Sequence, residues 1–227
     1  MMSCMQGGLL KGMKRKKEIE CSDFNALAEM IILNFPREHT ERDPFKVLIT
    51  TILSQRSKDE NTKIAADNLF SVYESVEDVA KAKPEDLYHL IKQAGLYKEK
   101  AERIIKVSQI LIEKYGGKVP DSLEELVELP GVGRKTANIV LYVSFNKQAL
   151  AVDTHVHRIS NRLGWVRTKK PEETEKELKK ILVPHLWGPV NGSMVEFGKS
   201  ICRPVSPKCE LCFLKECCSY FKNTKNK

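Results

Sequence analysis

The chain has 227 residues, 41% of them hydrophobic, and a formal net charge of +8. That length allows one large domain or two small ones around an apolar core, and the basic balance suits an anionic partner such as nucleic acid. No apolar run is long enough for a secretory leader or a membrane span, which points to a reducing cytosol where clustered cysteines bind metal. Residues 1–17 carry Lys11, Lys14, Arg15, Lys16 and Lys17 and no acid, and read as a mobile basic tail. Beyond it the apolar period is helical. Phe45, Leu48, Ile49, Ile52 and Leu53 share one helix face. Leu87, Leu90, Ile91 and Ala94 repeat the pattern between Pro84 and Gly95, and Ile104, Ser108, Leu111 and Tyr115 continue it up to Gly116. A helix over Asp121–Leu129 opens on Ser122 and Glu125 in capping-box spacing. Ala137, Val140, Leu141 and Ser144 mark the next, and Val156, Ile159 and Leu163 the one that Gly164 ends. Leu178, Ile181 and Leu182, then Val190, Met194 and Phe197, complete the series before a second basic tail at 221–227. No alternating strand pattern interrupts these stripes. The predicted fold is all-α, and helices this short must pack on one another.

Two predicted helices meet at Leu129-Pro130-Gly131-Val132-Gly133-Arg134-Lys135. Pro130 stops the first, and the two glycines permit a tight turn and close backbone approach. The second helix begins at about Gly133, so its free N–H groups invite an anion, plausibly a DNA phosphate that fixes position without reading sequence. Lys135 lies in that first turn beside Arg134. A positive helix end and a neighbouring cation both disfavour its ammonium form, which is how a lysine becomes a nucleophile; a plain phosphate-binding lysine is the alternative. Asp153, in Val152-Asp153-Thr154-His155, stands at a predicted helix start, where an aspartate commonly serves as N-cap. His155 and His157 are two residues apart and do not share a helix face, so they are not a metal pair.

Cys202, Cys209, Cys212 and Cys218 are separated by six, two and five residues. Four thiolates this close can converge on one soft metal centre, and no histidine is near. A zinc ribbon would show two short pairs across a longer loop, whereas this run has one, so a [4Fe–4S] cluster is expected ahead of zinc or disulfides.

The hairpin with its lysine, the VDTH segment and the C-x6-C-x2-C-x5-C run, in this order, resemble the endonuclease III family of helix–hairpin–helix DNA glycosylases. The likeness spans roughly residues 20–220. It implies two helical lobes with DNA held in the cleft between them: a six-helix barrel at 37–147, and a cluster-bearing lobe formed by 18–36 with 148–220. It makes Lys135 the Schiff-base lysine, Asp153 the catalytic carboxylate and the four cysteines the cluster ligands. Cys217, beside a ligand, could compete with Cys218, while Cys4 and Cys21 match nothing. Leu96 corresponds to a side chain that wedges into the DNA stack; a core leucine is the alternative. Gln55 and Arg56 fall in a loop that fills the gap left by an extruded nucleotide. Relatives carry glutamine where Arg56 stands, which leaves open which of the two faces the orphan base. Arg203 and Lys208 join Gly131, Val132, Gly133 and Arg134 as expected DNA contacts. The implied activity is base excision followed by strand cleavage, acting as a monomer on double-stranded DNA with a damaged base, by family default an oxidised pyrimidine, or an abasic site. A monofunctional mismatch or adenine glycosylase would usually lack the lysine, and a non-catalytic DNA-binding iron–sulfur protein would not need Lys135 and Asp153 together.

Overall fold

A computed structural model describes residues 20–225; the basic segment at 1–17 lies outside them. Among the described residues there are twelve α-helices and no strand. Helix α1 is Phe24–Asn34, α2 Pro44–Leu53, α3 Asp59–Phe70, α4 Val76–Lys81 and α5 Pro84–Ile91. A 3-10 turn, Lys92–Ala94, then leads into the long α6, Tyr97–Tyr115. After it come α7 Leu123–Leu126, α8 Arg134–Val143, α9 Thr154–Leu163, α10 Pro171–Ile181, α11 Pro184–Ser200 and α12 Ser219–Lys225.

Local chemistry starts most of these helices. Asp23 and Asp43 accept N–H bonds from Ala26 and Lys46 at 3.0 and 2.8 Å, and Pro44 occupies the first turn of α2. Ser75 and Asp78 form a reciprocal capping box on α4. The expected helix at Asp121–Leu129 contracts to the single turn of α7. Glu128 and Leu129 donate to carbonyls three residues back, a tightened path into Pro130, which disfavours helical angles in the residue before it.

The buried side chains form two clusters. One gathers residues between Phe45 and Ala149, including Leu48, Ile52, Leu69, Leu87, Ile104 and Val140. The other joins Leu27 and Ile31 of α1 to residues from Leu150 to Phe221, among them Val156, Ile159, Met194 and Phe197. Helices α8 and α11 meet where the clusters adjoin. There Gly188 makes room for the Tyr142 ring, since a Cβ would come within 2.0 Å of it.

The expected tail at 221–227 is corrected over its first five residues. Phe221 is only 6% exposed and belongs to the second core, so α12 is drawn onto the fold by its aromatic side chain. Cys21 and Cys217 form a disulfide, with Cα atoms 5.1 Å apart, that ties the segment before α1 to the cysteine run. No helix among the described residues is long and apolar enough to cross a membrane.

Candidate active site and cysteine centre

The turn between α7 and α8 depends on Gly131, whose φ of +76° is left-handed; a Cβ there would also lie 2.1 Å from Arg103 Cδ. Gly133 is different from expectation. Its φ is −92°, open to any residue, and a Cβ would meet nothing within 4 Å. Its lack of a side chain leaves the helix end accessible rather than relieving backbone strain. Helix α8 has no side-chain cap, so the N–H groups of its first turn face outward as an anion site would require. Val132 departs from its expected place among DNA contacts: its side chain is in the core and its N–H donates to Leu129. Arg134 is held by Glu175 of α10 through Nε at 3.0 Å and Nη2 at 2.8 Å, and Glu175 is only 4% exposed. Its Nη1 lies outside that pair.

Lys135 is half-buried near the start of α8. Burial lowers its pKa first; Arg37 lowers it too, and Asp153 and Asp59 oppose the shift. The depressed ammonium agrees with the sequence, but burial is its main cause, and the cation that adds to it is Arg37, from a distant segment, not the adjacent Arg134. Asp153 caps α9: its Oδ1 accepts the N–H groups of His155 and Val156, both at 2.9 Å. Among the described residues its Oδ2 accepts no hydrogen bond and remains available to a cation. Two side-chain amides, one buried and one half-buried, fix the segment leading to it. Asn138, one turn beyond Lys135, donates to Leu150 at 2.9 Å, and Asn191 of α11 donates to Ala151 at 2.9 Å. Around this centre Arg37 and Lys199 each pair with both Asp59 and Glu196, linking α3 to α11. Asn138 and this network escaped sequence reading, because their partners are far along the chain. His155 and His157 have separate partners, Arg158 and Thr174.

The two expected gap-filling loops lie at the end of α2 and the start of α6. Arg56 and Leu96 both take left-handed angles, φ 54° and 47°, uncommon for residues with a Cβ. Leu96 is 48% exposed, so it is no core leucine. The Gln55 carboxamide is committed at both ends. Its Nε2 donates to Gly131 O at 2.9 Å and its Oε1 accepts from Arg103 Nη1 at 2.9 Å. Arg56 is exposed.

Cys202, Cys209, Cys212 and Cys218 line one cavity, walled by Phe197, Ile201 and Phe221. Burial is the main cause that raises the thiol pKa values of Cys209 and Cys218 and pushes Cys212 up to about 11; the neighbouring cysteines add to it. A cation in their midst would favour the thiolates. Arg162 brings its Nη1 within 3.6 Å of Cys202 Sγ and its carbonyl within 3.3 Å of Cys218 Sγ. Among the described residues no three of the His, Cys, Asp and Glu side chains close to the spacing of a single metal ion. Four soft thiol donors lining one cavity are a set that would fit an iron–sulfur cluster. Cys217 is removed from the competition, since its sulfur is bonded to Cys21. Arg203 turns back within the first cysteine loop, Nη2 to Ser206 O at 3.0 Å, whereas Lys208 is exposed.

Residues 49–184 match the HhH-GPD superfamily of base excision DNA repair proteins. Endonuclease III of Thermotoga maritima is 66% identical over 196 residues, covering 86% of this chain and 92% of that protein. The chain belongs to the endonuclease III family. Endonuclease III of Bacillus subtilis is 40% identical, with 81% of this chain and 86% of that protein covered. Among solved structures, a trapped endonuclease III–DNA covalent intermediate superposes with a TM-score of 0.84 at 37% identity, over 91% of this chain and 99% of that one. A thermostable thymine-DNA glycosylase matches with a TM-score of 0.79 at 28% identity, over 87% and 96%. The all-helical architecture is thus that of endonuclease III, and base excision repair by a glycosylase/lyase is the activity that goes with it.

Proposed function

We propose that this base excision glycosylase/lyase uses Lys135 as its nucleophile and Asp153 as its electrostatic partner. The observation that carries the reading is a half-buried amine with a depressed pKa, influenced by a helix-capping aspartate that keeps one oxygen free. DNA binds in the cleft between two lobes, 37–147 and 18–36 with 148–220, and the damaged nucleotide is flipped out of the stack to expose C1′. The Lys135 lone pair forms a bond to C1′ as the glycosidic bond breaks, and the base leaves with that electron pair and takes up a proton. Asp153 stabilises the positive charge that grows on the sugar. The nitrogen then loses a proton to the ring oxygen, which leaves with the C1′–O4′ electron pair as the nitrogen lone pair forms the iminium. A C2′ proton then departs, its electrons form the C2′–C3′ double bond, and the 3′ phosphate leaves.

Leu96 and Arg56 enter the vacated stack. Gln55 braces that loop against the hairpin, which favours Arg56 as the residue facing the orphan base. The backbone at Gly131 and Gly133, the free Nη1 of Arg134, and Arg203 and Lys208 meet phosphates. Cys202, Cys209, Cys212 and Cys218 would hold a [4Fe–4S] cluster, which when bound keeps the basic cysteine loop in shape. The protein works as a monomer in the cytoplasm, on oxidised pyrimidines in duplex DNA. Iron and sulfide should each approach four per chain, with broad visible absorption; stoichiometric zinc without iron would overturn the cluster assignment. A panel of duplexes carrying oxidised pyrimidines, uracil or mismatched thymine, each treated with borohydride, tests the activity. Covalent trapping on oxidised pyrimidines is expected. Excision of mismatched thymine with no trapping on any duplex would point to a monofunctional enzyme instead.

A further inference from the structure

Among the described residues Lys100 is the largest of the fully buried side chains, only 2% exposed, yet no carboxylate there pairs with it. Its Nζ donates to Leu53 O at 2.7 Å and to Ala94 O at 2.9 Å. Leu53 is the last residue of α2, and Ala94 ends the 3-10 turn before α6. Both carbonyls belong to helix ends whose terminal C=O groups lack intrahelical partners, where a cation is favourable. The Lys100 backbone N–H meanwhile donates to Leu96 O at 3.0 Å, so one residue brackets the left-handed Leu96 from both sides. One turn further on, Arg103 holds Gln55, the neighbour of Arg56. Helix α6 therefore grips both loops, and its deepest grip is a buried ammonium. Burial, and secondarily Arg103, lowers the Lys100 pKa to about 8, a cost that an apolar side chain of similar length would not incur.

We propose that Lys100 is a positioning residue that fixes Leu96 and Arg56 at one spacing, so that both loops enter the DNA gap as a single unit. This rests on the gap-filling roles given above to Leu96 and Arg56. Held apart from solvent, Lys100 touches neither DNA nor the reacting atoms. Its effect passes through the two carbonyls that set where the left-handed residues begin. Left-handed angles at residues with a Cβ persist only where the surroundings over-determine them, and Lys100 supplies that constraint at Leu96.

The test compares wild type, Lys100→Met, Leu96→Ala and the double variant. Melting temperature is measured, together with affinity for duplexes with and without a reduced abasic analogue. Lys100→Met should lower the ratio of lesion to undamaged affinity about tenfold, but less than about twofold when Leu96 is already alanine, because coupled residues are not additive. A fall in melting temperature with that ratio unchanged, while Leu96→Ala still lowers it, would make Lys100 a core residue only and overturn the proposal alone. An unchanged ratio in Leu96→Ala would instead remove the wedge reading, and the proposal with it. If Lys100→Met does not fold, Lys100→Gln, too short to reach both carbonyls, should lower the ratio about threefold, with the same loss of effect in the Leu96→Ala background. A ratio equal to wild type in that variant would also overturn the proposal.

Discussion

At the scale of single residues, the chemistry turns on whether Lys135 is neutral when the nucleotide arrives. Burial lowers its pKa and Asp153 raises it, so in the proposed mechanism the carboxylate would work against deprotonation while stabilising the transition state. Those opposed effects give Asp153→Asn a distinctive signature. Maximal single-turnover excision should fall by about tenfold or more, a barrier increase of about 1.4 kcal/mol or greater. At the same time the rising limb of its pH profile should move to lower pH, since a group that held the Lys135 pKa up is gone. A limb that stays in place would mean that Asp153 acts only as the cap of α9. The places of Lys135 and Asp153 at helix starts were legible in sequence, because local motifs define both starts. The origin of the lowered pKa was not. Burial is the main cause; Arg134 pairs with Glu175, at a separation of 41 residues, and the cation that adds to the lowering is Arg37. Lys100 was equally hidden: in a Lys-Glu-Lys run it reads as surface, and only the packing of α2 against α6 reveals it as buried.

Among the elements, the clearest surprise is the cystine between Cys21 and Cys217. It closes a separation of 196 residues and draws the segment before α1 onto the cysteine run, beside Cys218. Cross-links over long separations constrain the unfolded chain most, and loss of a native one typically costs about 2–5 kcal/mol. Cys21→Ser should therefore lower the melting temperature under oxidising conditions while leaving iron content unchanged. With a strong thiol reductant present, variant and wild type should melt together. Loss of iron in Cys21→Ser would show that the cross-link serves the metal site itself. No spacing rule could have paired Cys21 with Cys217, because the pairing depends on how α1 packs beside α11 in the core that Phe221 of α12 also joins. Helix α3 escaped notice for another reason: its buried positions are Thr62, Ala65, Ala66 and Leu69, too small a stripe among charges to stand out. Helix α12 was taken for tail because a lone buried Phe221 carries its apolar face.

On the scale of the whole molecule, the proposed active centre draws its two residues from elements of different cores. Lys135 is carried by α8, packed into the first core, and Asp153 lies at the head of α9 in the second. The ion pairs of Arg37 and Lys199 with Asp59 and Glu196 brace the same junction. The chain carries a formal net charge of +8, and pairing of its cations with phosphates would release counterions. Log affinity for an uncleavable abasic analogue should fall linearly with log salt, by about 0.9 per phosphate neutralised. A flat response would contradict the phosphate contacts assigned to the hairpin and the cysteine loop. The central claim is that Lys135 forms the covalent bond to the sugar. Its most direct measurement is borohydride trapping of the full chain on abasic DNA, with the adduct mapped by peptide mass spectrometry. The adduct should sit on Lys135, and Lys135→Gln should abolish trapping while still binding the reduced abasic analogue. Undiminished trapping by Lys135→Gln, or an adduct mapped to another amine in wild type, would contradict the account.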